Sequence, residues 1–376
     1  MTELDESMMR RAIALAKKGE GRVEPNPMVG CVIVRDPPAA DIIGEGYHRR
    51  FGGPHAEIEA LRSCTRNPRG ATVYVSLEPC CHHSKTPPCT DALIQAGVAR
   101  VVTSLRDPNP AVNGKGLRRL RAAGIAVTTG VLVHEAAEVL APFLTRVRLG
   151  RPYVIAKWAQ SLDGQLITPP GRSKWISGAT SQRTVHRLRA RVDAILVGVG
   201  TVLADDPLLT ARGVPLRRRA IRIVLDGKLR IPLSAKLVAS AKTTPTLILT
   251  TPQAVNTKKA QQLKRKGVEL VACKTRGGRL VLSECLYHLA NRGVTNLLVE
   301  GGPTVLHAML KAPLVDEAWA FVAPRLIGGE PQRCCLANVF ANTDPRAATV
   351  ERSGNDLLYR LRLTDLPRAA EARRWK

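Results

Sequence analysis

Apolar and polar positions along the first part of the chain repeat with the periods of helices and strands in turn. Residues 3–19 carry apolar side chains at helical spacing, with Met8, Ala12, Leu15 and Ala16 on one face. Further patterns predict strands over 29–34, 71–77 and 98–104 and helices over 55–63 and 90–96. Because helices alternate with strands, we predict a layered α/β domain with a mostly parallel sheet.

A second pattern of the same kind follows a short basic segment, residues 146–152, which contains Gly150 and Pro152. It predicts strands over 153–159, 193–199, 221–226, 246–250, 268–272, 295–300 and 317–323, and helices at about 180–190, 282–292 and 303–311. We therefore predict two α/β domains, residues 1–148 and 149–376, the second ending in a frayed basic tail.

The charge of the chain widens the range of candidate ligands. Its 376 residues include 57 Lys and Arg against 31 Asp and Glu, for a net charge of +26. The positive electrostatic field of such a charge attracts anions, so nucleic acid and phosphorylated small molecules are both candidate ligands. Arg is spread along the whole chain, which favours solvated faces as the origin of the charge. Only three aromatic residues precede Phe143, namely Tyr47, Phe51 and Tyr74. So few aromatic side chains make a poor stacking platform for bases.

The cysteines and the apolar runs bear on the compartment. The nine cysteines are odd in number, and the acidic start of the chain does not resemble a basic leader with an apolar core. The longest apolar run, residues 194–204, is too short to span a bilayer. We expect a cytoplasmic protein with reduced thiols and no membrane partner.

Three side chains in the first domain could bind one zinc ion, namely His55, Cys80 and Cys89. Three protein ligands leave the fourth position of a tetrahedral zinc to water, which is typical of a catalytic site. Glu57 lies two residues from His55, as in the H-x-E and P-C-x-x-C signature of nucleobase deaminases, where the Glu moves protons. The second half is longer here, P-C-x8-C. A closed structural site is the alternative, and its fourth ligand would come from Cys81, His82 or His83.

Five segments of the first domain form recognisable motifs: residues 25–30 (PNPMVG), 44–48 (GEGYH), 55–57 (HAE), 77–89 (LEPCCHHSKTPPC) and 107–110 (DPNP). Together they resemble the bifunctional riboflavin-biosynthesis deaminase/reductase family. The resemblance implies a cytidine-deaminase-like three-layer α/β/α domain, zinc ligands His55, Cys80 and Cys89, and Glu57 as the proton shuttle. It also implies pocket residues for a pyrimidinone that carries a ribosyl phosphate: Asn26, His48, Lys85, Asp107 and Asn109. The chain differs at Cys81, where the family usually has Ser, and at Ser84, where it usually has Gly.

The second domain resembles the reductase domain of the same family, which has the dihydrofolate reductase fold and uses NADPH. The resemblance lies in residues 157–164 (KWAQSLDG), 198–210 (GVGTVLADDPLLT) and 300–304 (EGGPT), with Ser173, Trp175 and Arg212. Two Gly residues before a helix let a dinucleotide phosphate approach backbone amides, although an ordinary turn is the more frequent explanation. No G-x-G-x-x-G follows the first strand of this domain, which argues against a standard Rossmann site.

The resemblance assigns roles to individual residues of the second domain. Implied cofactor contacts are Ala159, Trp175, Thr201, Gly302, Pro303, Thr304 and Val305. Implied substrate contacts are Lys157, Ser173, Arg189, Asp205, Leu209, Arg212 and Glu300, with both arginines suited to the ribose phosphate. Lys157 and Glu300 are the candidates for the proton transfers that open the ribose ring, and a strand-end ion pair is the alternative. The loop at 165–167 (QLI) departs from the family, and a bulky Ile167 would narrow a nicotinamide pocket.

Together these patterns predict a homo-oligomeric enzyme with zinc and NADPH as cofactors and a small phosphorylated pyrimidine as substrate. It would remove the 2-amino group of 2,5-diamino-6-ribosylamino-4(3H)-pyrimidinone 5′-phosphate and then reduce the ribosyl group of the product to ribityl. One rival interpretation is a nucleic-acid or nucleoside zinc deaminase with a degenerate second domain. Another is a basic scaffold protein, against which the complete His, Glu, Cys, Cys set argues.

Overall fold

The two patterns of apolar runs form two separate sheets. The computed structural model describes residues 2–35, 40–82, 87–168, 175–328 and 345–366. Within these residues the chain splits into two units: residues 2–150 together with Leu366, and Arg151–Asp365. None of the helices described is long and apolar enough to cross a membrane.

The first unit is a five-stranded sheet with helices on both faces. Its helices are α1 (Glu3–Ala16), α2 (Ala56–Arg62), α3 (Cys89–Gln95), α4 (Lys115–Ala122) and α5 (Val133–Leu149), and its strands are β1 (Gly30–Arg35), β2 (Asp41–Tyr47), β3 (Thr72–Leu77), β4 (Arg100–Leu105) and β5 (Ala126–Thr129). The strand order is β2-β1-β3-β4-β5. Alternate residues of β1 face opposite ways: Val32 and Val34 pack with α1 and α5, whereas Cys31 and Ile33 pack with α2, α3 and α4. This is the predicted three-layer arrangement.

The prediction of a mostly parallel first sheet holds only in part. Strand β1 pairs antiparallel with both β2 and β3, whereas the pairings of β3 with β4 and of β4 with β5 are parallel. The link between β1 and β2 is too short for the crossover that parallel neighbours need. Strand β2 itself was absent from the prediction because Gly44 and Gly46 weaken the strand signal.

The second unit contains a nine-stranded sheet and a separate hairpin. Its helices are α6 (Ala179–Arg189), α7 (Val199–Asp205), α8 (Lys236–Ala239), α9 (Lys258–Arg265), α10 (Leu282–Asn291) and α11 (Pro303–Lys311), and its strands are β6 (Tyr153–Ser161), β7 (Ala194–Gly198), β8 (Ile221–Leu225), β9 (Thr246–Thr250), β10 (Glu269–Ala272), β11 (Thr275–Arg276), β12 (Arg279–Leu280), β13 (Asn296–Val299), β14 (Glu317–Ala323), β15 (Ala347–Ser353) and β16 (Asp356–Arg362). The sheet order is β10-β9-β8-β7-β13-β6-β14-β16-β15.

In the spatial order of this sheet, every pair of neighbouring strands between β10 at one edge and β14 is parallel. The two pairings that involve β16, with β14 and with β15, are antiparallel. The seven strands and three helices predicted for this unit are all present, with ends that differ by up to two residues. Ligands of open parallel sheets bind outside the carboxyl ends of the strands. Lys157, Gly198 and Glu300 lie within or just after β6, β7 and β13, so the topology brings them toward that edge.

Gly46 allows helix α2, which carries Glu57, to lie directly on β2. A Cβ atom at Gly46 would stand 2.3 Å from the backbone nitrogen of Ala60 and 2.5 Å from the carbonyl oxygen of Ala56. Because both are backbone atoms, the helix itself would have to move. We expect Gly46→Ala to lower the free energy of unfolding by about 1–3 kcal/mol, measured by denaturant titration. Gly200→Ala in α7, where no atom lies within 4 Å of the new Cβ, is the control and should not destabilise the protein.

Candidate active sites

Three potential zinc ligands converge in the first unit. His55 is the residue before α2, Cys89 is the first residue of α3, and Cys80 follows β3. The Nδ1 atom of His55 lies 3.5 Å from the Sγ of Cys80 and 3.3 Å from the Sγ of Cys89. A nitrogen and a sulfur bound to one tetrahedral zinc are about 3.5 Å apart. The spacing and the donor set of one imidazole and two thiols therefore fit zinc.

The two thiols of this cluster differ in acidity. The Cys89 thiol donates a hydrogen bond to Cys80, and the Cys89 backbone N–H donates to the same sulfur at 3.4 Å. These bonds lower the pKa of Cys80 to about 4, whereas the bond to Cys80 and burial raise the pKa of Cys89. A helix N-terminus favours a thiolate, and Cys89 lies at that of α3. The structure favours Cys80 for the first thiolate because that sulfur accepts both hydrogen bonds.

Glu57 lies in the first turn of α2 with only 3% of its surface exposed. Burial raises the pKa of its carboxyl group to about 7, and its side chain lies in contact with the Cys89 thiol. A group whose pKa is near neutrality can both accept and donate a proton at physiological pH. Glu57 thus combines contact with the ligand cluster and the acidity that a proton shuttle needs.

Of the residues considered as a fourth ligand, Cys81 and His82 lie outside the cluster. Among the described residues, only His55, Cys80 and Cys89 are grouped closely enough to bind one metal ion. The Sγ of Cys81 lies 3.9 Å from the carbonyl oxygen of Ala111, and burial raises the pKa of this thiol. His83 lies outside the described residues. The geometry around Cys80 therefore favours an open three-ligand site over a closed one.

Asn26 and His48 form one hydrogen-bonded unit beside the ligand cluster. The Nδ1 of His48 is 2.8 Å from the carbonyl oxygen of Pro54, and its Nε2 is 3.2 Å from the Nδ2 of Asn26. Since a carbonyl only accepts, Nδ1 carries the proton and Nε2 accepts from Asn26. Burial lowers the pKa of His48, which favours this neutral form. The imidazole ring of His48 is 5.3 Å from that of His55.

Asp107 and Asn109 lie in the loop after β4. Oδ1 of Asp107 accepts the backbone N–H of Asn109 at 2.8 Å, and Oδ1 of Asn109 accepts that of Ala111 at 3.1 Å. Burial raises the pKa of Asp107 to about 7. These bonds fix the two side chains to their own loop. The sequence prediction also included Lys85, which lies outside the described residues.

Lys157, Arg189 and Glu300 form a charged cluster in the second unit. Nε and Nη2 of Arg189 lie 2.6 and 2.7 Å from the two carboxylate oxygens of Glu300. Burial by itself would raise the pKa of Glu300, but the charge of Arg189 and its hydrogen bonds lower it, whereas burial lowers the pKa of Lys157. Arg189 was predicted to contact the ribose phosphate, and that stays a prediction. In the structure it is bound to Glu300, because the two residues meet across the ends of α6 and β13.

The Gly-rich turn before α11 packs against the start of α7. The N–H of Gly198 donates to the carbonyl oxygen of Gly301 at 3.0 Å, and a Cβ atom at Gly302 would stand 3.2 Å from the hydroxyl of Thr201. Gly302 is the N-cap residue of α11, and Pro303 is its first residue. The predicted cofactor residues Thr201 and Gly302 are therefore neighbours, at a helix N-terminus that suits a phosphate.

The remaining predicted residues of the second unit are placed separately. Ala159 lies in β6, Trp175 has 60% of its surface exposed, Asp205 ends α7, and Leu209 is buried with a φ of 49°. The backbone N–H of Arg212 donates to Nδ1 of His186 at 3.2 Å. Thr304 and Val305 lie in the first turn of α11. Ser173 lies outside the described residues, and Ile167 is 48% exposed.

Arg222 supports the predicted substrate loop and was missed from the sequence. It is fully buried in β8, where it donates to the carbonyl oxygens of Leu208 at 3.4 Å and Leu237 at 3.0 Å. Burial lowers the pKa of its guanidinium to about 10. The only local signal was one charged residue inside the apolar run IRIVL. Nothing in that run indicates which distant carbonyl groups it binds.

Comparison with known proteins covers both units. Residues 2–105 match the sequence model of the cytidine and deoxycytidylate deaminase zinc-binding region, and residues 152–359 match that of the RibD C-terminal domain. The riboflavin biosynthesis protein RibD of Aquifex aeolicus (strain VF5) is 44% identical to this chain, and the match covers 87% of the chain and 88% of the relative. RibD of Escherichia coli (strain K12) is 43% identical, with 88% and 90% covered.

Solved structures agree with these sequence matches. Acinetobacter baumannii RibD (form 1) superimposes with a TM-score of 0.83 at 36% identity, covering 96% of this chain and 99% of that one. A Thermotoga maritima protein described as a diaminohydroxyphosphoribosylaminopyrimidine deaminase/5-amino-6-(5-phosphoribosylamino)uracil reductase gives a TM-score of 0.82 at 36% identity, with the same coverage. The predicted fold class of both domains is confirmed. The chain therefore belongs to the RibD family, the bifunctional enzymes of riboflavin biosynthesis that join a zinc-dependent deaminase to an NADPH-dependent reductase.

Proposed function

We propose that residues 1–148 deaminate 2,5-diamino-6-ribosylamino-4(3H)-pyrimidinone 5′-phosphate at its 2-amino group. Residues 149–376 then reduce the ribosyl group of 5-amino-6-(5-phosphoribosylamino)uracil to ribityl. The observation that carries the first step is the cluster of His55, Cys80 and Cys89 with the buried Glu57 beside it. The two activities in the name of the Thermotoga maritima relative, which is 36% identical, support the same pair of reactions.

In the first site, His55, Cys80 and Cys89 would hold the zinc ion. Zinc, when bound there, supplies Lewis acidity that brings the pKa of a water molecule close to neutrality. Glu57 accepts a proton from the attacking water and gives it to the departing amine, for which its pKa of about 7 is suited. His48 accepts from the amide nitrogen of Asn26, so that the amide oxygen of Asn26 is left to accept from the pyrimidinone. Asp107, Asn109 and Lys85 complete the proposed substrate contacts.

In the second site, Lys157 and Glu300 would move the protons. NADPH, when bound against Gly302 and Thr201, supplies the hydride for C1′ of the ribosyl group. Arg189 keeps Glu300 ionised, so Glu300 accepts the proton of the exocyclic nitrogen as the C1′–O bond breaks. Lys157, whose pKa is lowered by burial, protonates the released ring oxygen. Glu300 returns its proton to the nitrogen after the hydride has been transferred. Arg189 and Arg212 are the arginines proposed for the ribose phosphate.

Other contacts in the second site follow the same assignment. The proposed cofactor contacts are Ala159, Trp175, Thr201, Gly302, Pro303, Thr304 and Val305, and the proposed substrate contacts include Ser173, Asp205 and Leu209. Both reactions act on small pyrimidine phosphates, so no nucleic acid is needed as a partner. The restriction by Ile167 stays a prediction.

We also propose that the protein works in the cytoplasm as a homo-oligomer. Every cysteine among the described residues has a free thiol, which fits a reducing compartment. The outermost strand of the large sheet, β15, exposes residues Ala347 to Arg352 and offers an edge on which a second copy can pair. Sedimentation equilibrium of the full chain measures the mass, and a monomer at micromolar concentration would contradict this part of the proposal.

The direct test uses purified zinc-loaded protein, the diaminopyrimidinone phosphate and NADPH, with ammonia release and NADPH oxidation followed separately. We expect both reactions, in that order. Removal of zinc with a chelator should abolish ammonia release but leave NADPH oxidation intact when the deaminated product is supplied, because the second site needs no metal ligand. Absence of ammonia from the zinc-loaded protein would refute the first assignment. Ammonia without NADPH oxidation would restrict the second unit to a degenerate role.

A further inference from the structure

Glu78, which lies between β3 and the zinc ligand Cys80, makes an unusual set of contacts. Its side chain is 4% exposed, and both carboxylate oxygens accept backbone N–H groups. Oε2 accepts from Asp107 at 3.1 Å and from Gly114 at 2.9 Å, and Oε1 accepts from Gly116 at 3.0 Å and Leu117 at 3.3 Å. All four donors belong to the segment that runs from the end of β4 into α4.

These bonds replace a local cap of α4. The N-cap residue of this helix is Gly114, which has no side chain, so the first N–H groups of the helix need another acceptor. The carboxylate of Glu78 takes that place and puts a negative charge at the positive end of the helix. Gly116 permits the close approach, since a Cβ atom there would stand 2.2 Å from the carbonyl oxygen of Pro79.

The same carboxylate fixes the loop that carries two proposed substrate contacts. Glu78 binds the N–H of Asp107, Asp107 binds the N–H of Asn109, and Asn109 binds the N–H of Ala111. The chain of bonds starts at Glu78, which is two residues before Cys80. It therefore connects the zinc-ligand segment with the loop after β4. A displacement of this loop by a fraction of an ångström would change the position of Asp107 and Asn109 relative to a substrate held at the zinc-ligand segment.

We propose that Glu78 is a positioning residue of the deaminase site, which holds Asp107 and Asn109 at a fixed distance from the zinc ligands. It does not touch the reacting atoms. The inference rests on the proposed role of Asp107 and Asn109 in substrate binding. Loss of the Glu78 carboxylate should therefore weaken the binding of the pyrimidinone more than it slows the chemical step. The reductase step should be unchanged.

The test compares Glu78→Gln and Glu78→Asp in the full-length, zinc-loaded protein. Glutamine has an amide nitrogen that faces two N–H donors, and aspartate keeps the charge but is one methylene shorter. We expect Glu78→Gln to raise KM for the diaminopyrimidinone phosphate by about tenfold, with a much smaller change in kcat. Glu78→Asp should give a smaller increase. Zinc content and NADPH oxidation on the deaminated product should match those of the wild type.

The control is Asp5→Asn, which alters another buried carboxylate of the same unit. Asp5 is 1% exposed, caps α1 and binds Arg100 and Tyr74. It should lower the unfolding temperature without changing KM. An equal rise of KM in Asp5→Asn would show that Glu78 acts only through stability and would overturn the proposal, as would an unchanged KM in both Glu78 variants.

A double variant separates this inference from the function on which it rests. If Glu78 acts through Asn109, the effect of Glu78→Gln on KM should be largely lost in an Asn109→Ala background, since linked residues are not additive. Full additivity would overturn the positioning role. An Asn109→Ala variant with wild-type KM would instead refute the substrate contact itself, whatever Glu78 does.

Discussion

Glu57→Gln is expected to lower kcat for ammonia release by about 10²- to 10⁴-fold, the range that proton transfer by a positioned side chain contributes. The amide keeps the volume of the carboxyl group in its buried place but can neither accept nor release a proton near neutral pH. Because the proposed zinc ligands are His55, Cys80 and Cys89, the variant should still bind zinc. The measurements are steady-state ammonia release and the zinc content of the purified protein.

The matched control is Glu45→Gln, which removes a carboxylate of β2 that forms an ion pair with Arg11 near the surface. It should change neither zinc content nor ammonia release. Loss of zinc from Glu57→Gln would make Glu57 a ligand rather than a proton shuttle. Retention of more than about a tenth of the wild-type rate would remove Glu57 from the proton-transfer step altogether. NADPH oxidation by the second unit serves as a check that the variant protein is folded.

The composition of the zinc cluster could be predicted because short motifs carry it. His55 and Glu57 are two residues apart, and Cys80 and Cys89 lie in one segment, so spacing and donor type were sufficient. The contacts of Glu78 lie 29 to 39 residues away along the chain, and those of Arg189 with Glu300 lie 111 away. Such pairs depend on how strands and helices are placed beside each other, which local periodicity does not encode.

The fold was predictable to a similar depth. Buried parallel strands of the second unit, such as β7 and β9, have continuous apolar runs and were found from them. Strand β15 is exposed along six of its seven residues, so its sequence lacks the continuous apolar run that identified the buried strands. Helix α5, with seventeen residues, was not predicted; it contains Pro142, a residue that is unfavourable inside a helix. The antiparallel pairing of β1 could not be predicted either, because it depends on tertiary packing, which local periodicity does not encode.

Glu300→Gln and Lys157→Met are each expected to lower the rate of NADPH oxidation by about 10²- to 10⁴-fold, because each removes one of the two proton transfers that open the ribose ring. Methionine retains the length of the lysine stem without its charge. Ammonia release should be unchanged, since the deaminase residues lie in the other unit. The measurement is NADPH oxidation with the deaminated product as substrate, so that the first step does not limit the second.

A strand-end ion pair without a catalytic role is the alternative for Lys157 and Glu300, and Asp316→Asn distinguishes the two. Asp316 forms a buried two-pronged pair with Arg151, at 2.6 and 2.8 Å, which matches the pair of Glu300 with Arg189 in geometry and burial. Breaking either pair leaves a buried arginine without its carboxylate and should lower the unfolding temperature to a similar extent. Only Glu300→Gln should also remove NADPH oxidation at temperatures where both variants are folded. Equal rates in the two variants would identify the Arg189–Glu300 pair as structural, and the proton transfers would then have to come from other groups.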